Sequence, residues 1–152
     1  MSQLKLTSFV NAPLDVVFEK HTNFKQAEEL VDAIVKVEML TGGPVGKGTR
    51  FKETRVMFGR EATEEMEITA FETQKHFTVS ADSCGSHFDS TFRFTRQDGG
   101  TLVEMEMVTK ANSIIAKLMW PVGKLMTLSM KKMMQADMDQ VKAACEKSID
   151  RE

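Results

Sequence analysis

The feature that most constrains the fold is one long amphipathic segment near the C-terminal end. Its apolar residues recur every three or four positions, which is the repeat of a helix with one buried face. The stripe consists of Ile115, Leu118, Met119, Val122, Leu125, Met126, Met130, Met133, Met134, Met138, Val141, Ala144 and Cys145. Charged residues such as Lys131, Lys132 and Asp137 are assigned to the opposite face. A single long helix must bury such a stripe against another layer, which we expect to be a sheet.

A proline interrupts the beginning of this segment. Pro121 removes a backbone hydrogen bond, at a cost of about 3 kcal/mol inside a helix. We therefore predict a first helical segment from about Ile114 to Trp120 and a long helix from about Val122 to Lys147.

The middle of the chain alternates apolar and polar residues in short runs separated by turns. In one run Met66 and Ile68 face one side, while Glu65 and Glu67 face the other. Predicted strands are Leu4–Val10, Ile34–Leu40, Phe51–Phe58, Glu61–Phe71, His76–Ser83, Phe88–Thr95 and Leu102–Thr109. Tight turns such as the one at Asp98 join consecutive strands, which predicts an antiparallel meander with one wet and one dry face.

Short helices are predicted between the first two strands. Asn11 is suited to cap the first helix and Pro13 to occupy its first turn, and this helix ends near His21. A second runs from about Asn23 to Val31. The fold class is α+β, a helix-grip arrangement in which a curved antiparallel sheet of about seven strands wraps around the long helix. Residues 1–152 are expected to form a single domain.

Composition narrows the classes of function. The formal net charge is -2, from 20 basic and 22 acidic residues that are scattered along the chain, so no nucleic-acid partner is expected. No run approaches the roughly 18 apolar residues of a membrane span. Cys84 and Cys145 are too few for a disulfide framework, and the first residues lack a signal-peptide pattern. A cytoplasmic location is the default expectation, and the oligomeric state is left open.

A meander covered by one helix rarely fills its own interior, so a ligand is expected in the gap between sheet and helix. The residues predicted to line it share an inward parity on the strands or lie on the helical stripe. They are Phe77, Val79, Phe92, Met105, Met107, Met126, Met130 and Met133. Methionine suits such a lining because its side chain is flexible and polarizable.

Two charged residues are candidates for the polar end of this site. Glu53 and Arg55 share the parity of Phe51 in a regular strand, although a bulge near Thr54 would turn Val56 and Phe58 inward instead. Glu64 shares the parity of Met66, but it lies near a strand end where water is expected. A carboxylate in an apolar cavity has a raised pKa and can act as an acid or a ligand anchor.

The order of elements resembles the helix-grip superfamily, which includes START lipid-transfer domains and the major birch pollen allergen. The resemblance rests on Val10-Asn11-Ala12-Pro13 followed by Val16, Val17 and Phe18, on Gly46-Lys47-Gly48-Thr49-Arg50-Phe51, and on a terminal helix with its early Pro121. It covers essentially the whole chain and is nearest to the polyketide cyclase/dehydrase-like branch, or SRPBCC proteins. The resemblance implies binders, carriers or enzymes alike, and it implies no universal catalytic residue.

Two other motifs do not match known phosphate-binding, zinc-binding or catalytic patterns. The glycine-rich loop at Gly46 lacks the Ser or Thr and the following helix of a phosphate loop, so it is interpreted as a turn. Cys84, His87 and Asp89 lack the spacing of a zinc site or a catalytic cysteine. We therefore predict no metal ion, no cofactor and no catalytic set.

Three hypotheses remain for function. The first is a binding or carrier protein for a small apolar or amphipathic molecule, lipid-like or aromatic. The second is a cyclase- or dehydratase-type enzyme that uses the same cavity, with Arg55, Glu64 and His87 as candidates for proton transfer. The third is a protein-interaction module, which would require an exposed apolar patch and little cavity.

Overall fold

The computed structural model describes residues 2–57, 59–83, 85–112, 114 and 120–150. Its strands are β1 Ser2–Val10, β2 Ile34–Met39, β3 Arg50–Met57, β4 Arg60–Glu72, β5 His76–Ser83, β6 Ser86–Gln97 and β7 Gly100–Ala111. Its helices are α1 Leu14–Thr22, α2 Ala27–Leu30 and α3 Trp120–Asp150, and a short 3-10 helix spans Phe24–Gln26. The predicted order of strands and helices is confirmed.

The strands form one curved antiparallel sheet of seven strands in the order β1-β7-β6-β5-β4-β3-β2. β2 to β7 make a meander, and β1 joins it beside β7, so that Leu6 lies opposite Met105. α1 and α2 therefore connect the two opposite edges of the sheet. Because each hairpin is antiparallel and alternates in register, one face of every strand points toward the helices.

The start of α1 differs from the sequence prediction. Pro13, not Asn11, occupies the N-cap position, and no side chain caps the helix. The backbone N–H of Asn11 instead donates to Glu146 Oε2 at 2.8 Å. Asn11 lies two residues before the N-cap position and is tied through its backbone to α3 instead.

α3 packs mainly on β1 and α1. Met138 and Cys145 are fully buried on it, whereas Met130, Met134 and Val141 are partly buried against the same core. The predicted first segment, from about Ile114 to Trp120, lies mostly outside the described residues. The long helix predicted from about Val122 to Lys147 is confirmed, although it begins at Trp120, before Pro121, and extends to Asp150.

The turns follow the predicted chemistry. Asp98 and Gly99 both have positive φ, at 49° and 80°, which is the geometry of a two-residue hairpin turn. The register of β3 against β4 is continuous from Arg50 to Met57, so the alternative of a bulge near Thr54 is wrong. A register irregularity lies instead in β2, between Ile34 and Lys36.

Candidate functional site

An aromatic layer lies between the short helices and the concave face of the sheet. Phe77 stacks on Phe92 with ring centroids 4.9 Å apart. Phe18 from α1 meets the edge of Phe94 at 5.1 Å, and Phe24 stacks on Phe51 at 4.6 Å. Aromatic pairs of this kind contribute about 0.5–1.5 kcal/mol beyond area burial. Phe18, Phe51, Phe77 and Phe94 are buried, so this layer is packed core, and accessible apolar surface remains on Phe24 and Phe92.

The predicted lining residues separate into two groups by burial. Phe77, Met105 and Met107 are buried, at 2%, 1% and 7% exposure. Val79, Phe92, Met130 and Met133 are only half-buried, although they belong to the inward face of the sheet or to the stripe of α3. The side chain of Met126 lies outside the described residues. The half-buried members therefore retain apolar surface that the fold itself does not cover.

Beside this apolar surface, Arg55 bridges the sheet and α3. Its Nε donates to Glu53 Oε1 at 2.8 Å and its Nη2 donates to Asp137 Oδ2 at 2.7 Å. The Arg55, Glu53 and Asp137 side chains are 12%, 13% and 15% exposed, so all three are largely removed from water. The regular alternation of β3 places Glu53 and Arg55 on the inner face together with Phe51.

Glu64 lies next to this cluster. It is the direct cross-strand partner of Glu53, and its side chain is half-buried. Its charge contributes to raising the pKa of Glu53. Arg55 pairs with Glu53 and Asp137, and Glu64 lies beside Glu53, so the cluster formed by these four residues has three carboxyl groups to one guanidinium. We refer to these four residues as the acidic cluster.

Burial dominates the electrostatics of the acidic cluster. It raises the pKa of Glu53 and that of Asp137, and the Arg55 guanidinium only partly opposes this. Burial alone would lower the pKa of Arg55, but the two carboxylates outweigh it and raise that pKa. Arg55 is therefore closely paired with Glu53 and Asp137, and these two carboxyl groups take up protons more readily than in water.

The sequence analysis missed the role of Asp137. It assigned this residue to the polar face of the helix, whereas the structure places it against Arg55. Helical spacing contained the signal, since Asp137 lies three residues after Met134 and four before Val141, both of which are packed on the core. The inward position of Glu53, by contrast, was predicted from its shared parity with Phe51.

His21 is a second residue that the sequence analysis did not select. It lies in the last turn of α1, and its Nδ1 donates to the carbonyl oxygen of Val17 at 2.7 Å. Its ring meets the edge of Phe94 at 5.2 Å and lies 6.2 Å from Phe92. Desolvation lowers the pKa of His21 to about 4, although the bond to the Val17 carbonyl opposes this. The ring is therefore neutral at physiological pH.

His87 lies on the opposite face of the sheet from the half-buried Phe88. Its Nδ1 is 2.8 Å from Asp82 Oδ1 and its Nε2 is 3.1 Å from Asp89 Oδ1. The pKa of His87 is raised, chiefly by the hydrogen bond to Asp82. The structure does not bring His87 together with Arg55 and Glu64, and Cys84 lies outside the described residues. In the part of the chain described, no group of three or more His, Cys, Asp or Glu side chains is placed to hold a metal ion.

A separate cleft of about 480 Å³ lies where β1 ends, beside the C-terminal end of α3. It is lined by Asn11, Ala12, Pro13, Gly99, Glu146 and Ile149. None of the predicted site residues lines it.

In the described residues, no helix is both long enough and apolar enough to cross a membrane.

This architecture defines a class of protein: a helix-grip fold, with a concave sheet that grips a long C-terminal helix. The structure of the ZhuI aromatase/cyclase from Streptomyces sp. R1128 superimposes with a TM-score of 0.77 at 17% identity, covering 97% of this chain and 95% of that one. Ara h 8.0201 gives a TM-score of 0.69 at 17% identity and coverages of 93% and 98%. The di-domain ARO/CYC BexL from the BE-7585A biosynthetic pathway gives 0.76 at 14% identity, covering 95% of this chain and 50% of that one.

Residues 1–146 match the family model described as polyketide cyclase / dehydrase and lipid transport. The chain belongs to this family, within the SRPBCC proteins of helix-grip fold. A search of curated proteins finds no significant match. The solved structures share 14–17% identity with this chain, and at that level the similarity shows the fold alone.

Proposed function

We propose that the protein binds a small apolar or amphipathic molecule, lipid-like or aromatic, between the concave face of the sheet and α3. The observation that carries the proposal is the half-burial of inward-facing apolar side chains at the centre of the sheet, namely Met66, Val79, Phe88 and Phe92. An apolar side chain that points inward and still has accessible surface gains about 25 cal/mol per Å² when a guest covers it. The family assignment supports the same role.

The acidic cluster is suited to hold the polar end of such a molecule. Arg55 and Glu64 are the residues proposed to contact it, and Glu53 and Asp137 keep Arg55 in place. Because carboxyl groups outnumber the single guanidinium, a carboxylate head group meets net repulsion there. A neutral hydroxyl or amide group donates hydrogen bonds to the carboxyl oxygens without that cost. A fatty alcohol should therefore bind more tightly than the fatty acid of equal chain length.

The proposal is tested first on the protein as purified from cells without detergent. Native mass spectrometry should show an adduct of a few hundred daltons that is lost on denaturation. Thermal melting with fatty acids, fatty alcohols, sterols and aromatic polyketides then identifies the class of ligand. A compound present at 100 times its Kd stabilises the folded state by about 2.7 kcal/mol, which raises Tm by about 5–10 °C at this chain length. No adduct and no shift with any compound would overturn the proposal.

A second candidate function is cyclisation or dehydration of a reactive chain in the same place. It is favoured by one observation, the convergence of titratable side chains on the inner face around Arg55. Similar solved structures include proteins named as aromatase/cyclases. In the enzyme, Arg55→Met should lower kcat far more than it raises KM for a poly-β-ketone thioester, because the group acts in the transition state. In a carrier, the same change alters affinity and there is no turnover to lose.

A further inference from the structure

One ring nitrogen of His21, Nδ1, is hydrogen-bonded within α1, and the other, Nε2, is not. Nδ1 donates its proton to the Val17 carbonyl oxygen at 2.7 Å, within the last turn of α1. In a neutral imidazole the other nitrogen, Nε2, then carries a lone pair and no proton. Among the described residues, no donor bonds to Nε2. The helix therefore orients a hydrogen-bond acceptor away from its own backbone.

The surroundings of His21 place this acceptor at the aromatic layer. The ring meets the edge of Phe94 at 5.2 Å and lies tilted over Phe92 at 6.2 Å. Phe92 is one of the half-buried residues of the concave face. Phe94 is buried at 5% exposure, so the His21 ring packs against a residue held in the core. His21 therefore borders the same apolar surface that the proposed ligand would cover.

Burial of the imidazole supports the same position. His21 as a whole residue is half-buried. Desolvation of its ring lowers its pKa to about 4. A ring on the outer surface would keep its hydration, so the His21 ring faces the interior of the fold.

We propose that Nε2 of His21 accepts a hydrogen bond from a hydroxyl group of the bound molecule, so that the protein selects phenols and alcohols over hydrocarbons of the same shape. This inference rests on the proposed function, because it requires a ligand against the aromatic layer. A carbonyl or carboxylate oxygen offers no proton to Nε2 and is disfavoured there. Apolar side chains provide the affinity for the ligand, and His21 provides the selectivity among apolar ligands.

The test compares 2-naphthol with 2-methylnaphthalene, which differ by a hydroxyl in place of a methyl group of similar size. Their dissociation constants are measured for the wild type, for His21→Phe and for His76→Phe, which removes a histidine from the outward face of β5. One hydrogen bond predicts that the wild-type preference for 2-naphthol falls about three- to tenfold in His21→Phe and stays unchanged in His76→Phe. Taking the ratio of the two ligands cancels their different hydrophobicity.

A second measurement needs no variant and covers the case in which His21→Phe does not fold. The ¹⁵N resonances of the wild-type imidazole report the tautomer directly. The free protein should show a protonated Nδ1 and an unprotonated Nε2, and 2-naphthol should shift the Nε2 resonance toward that of a hydrogen-bonded nitrogen. The methyl analogue should leave Nε2 at its free position.

The possible outcomes separate the inference from the function on which it rests. If both compounds bind and the preference for 2-naphthol is the same in wild type and His21→Phe, the His21 inference is wrong, whereas the proposed ligand-binding function is supported. A free protein with its proton on Nε2 also overturns the inference. If neither compound binds, and no member of the wider ligand panel does, the inference and the proposed function fail together.

Discussion

At the scale of single residues, Gly100 shows how one missing side chain lets two strands meet. It begins β7, where the chain turns back from β6 toward the end of β1. A Cβ added there would lie 2.5 Å from the backbone oxygen of Val10 and 2.8 Å from Cζ of Phe9. The phenyl ring has room to rotate, but the Val10 backbone is held by the β1–β7 ladder. The glycine is required by space, not by its torsion angles.

Gly100→Ala is therefore expected to destabilise the fold by about 1–3 kcal/mol, the usual cost of forced overpacking. Gly46→Ala is the matched control, because nothing lies within 4 Å of a Cβ at that position and its φ is not left-handed. Urea denaturation of both variants measures the difference. Equal midpoints for the two variants would show that the end of β1 yields at little cost.

His21 makes a prediction about stability and pH. Its folded pKa of about 4 lies below the ordinary 6.5, so the unfolded chain takes up the proton first as pH falls. The contribution of His21 is therefore fully present above about pH 6.5 and is lost as pH falls toward about 4, by about 3 kcal/mol in all. Glu53, Asp137 and His87 also titrate, so the informative quantity is the wild type minus His21→Phe.

That difference in unfolding free energy should shrink steadily between pH 6.5 and pH 4 and be flat above pH 7. Chemical denaturation at closely spaced pH values measures it. A difference that does not depend on pH would mean that His21 is hydrated in the folded state. The lining role inferred for its ring would then lose support.

At the scale of secondary-structure elements, α3 shows what sequence periodicity can and cannot predict. The repeat correctly predicted the helix and its apolar stripe, because burial of a face imposes the same spacing everywhere. It did not predict that Asp137 lies within that stripe, because a periodic pattern assigns a charge to the solvent by default. The partner that makes Asp137 acceptable, Arg55, comes from a strand far away in the chain. Periodicity assigns a residue to a face, but it does not identify the partner across the core.

In the strands, sequence alternation predicted the direction of side chains but not their burial. Alternation correctly predicted that Glu53 and Arg55 point inward, since β3 is regular against β4. It also placed Glu64 on that face. What alternation could not give is which inward residues are covered, because coverage depends on where α3 lies. Phe77 and Phe92 share a parity, yet Phe77 is buried and Phe92 is half-buried.

The link between α3 and β3 leads to a prediction about paired charges. Arg55→Ala leaves the Glu53 and Asp137 carboxylates without their cation in a largely dry site, and it should destabilise the fold by about 3 kcal/mol. Replacing all three together, by Glu53→Met, Arg55→Met and Asp137→Leu, removes the charges and should cost far less. Denaturation of the two variants tests this. A triple variant as unstable as the single one would mean that the ion pairs themselves stabilise the helix on the sheet.

At the scale of the whole molecule, the C-terminal half of α3 is attached to both sides of the sheet. Asp137 contacts β3, Gln140 bonds to Asp32 beside β2, and Lys142 donates to the carbonyl oxygen of Phe9 in β1. Each of these polar contacts belongs to the C-terminal half of the helix. Met138 and Cys145, the buried residues among the described side chains of α3 (128–149), lie in the same half. The helix is therefore anchored to both sides of the sheet at that end.

The different burial of two methionines on the same stripe predicts opposite behaviour for them. Met138 is 4% exposed and lies in the anchored half, so Met138→Phe has no free volume to use and should cost about 1–3 kcal/mol. Met130 lies two helical turns earlier and is only half-buried, so Met130→Phe should extend into open space and cost little. If that space holds the ligand, Met130→Phe should also weaken binding, whereas Met138→Phe should leave affinity nearly unchanged. Thermal melting of both variants, with and without the best compound from the ligand panel, measures the two effects together. Should Met130→Phe melt as far below the wild type as Met138→Phe does, and bind as well as the wild type, the interior is filled along the whole helix and the ligand lies elsewhere.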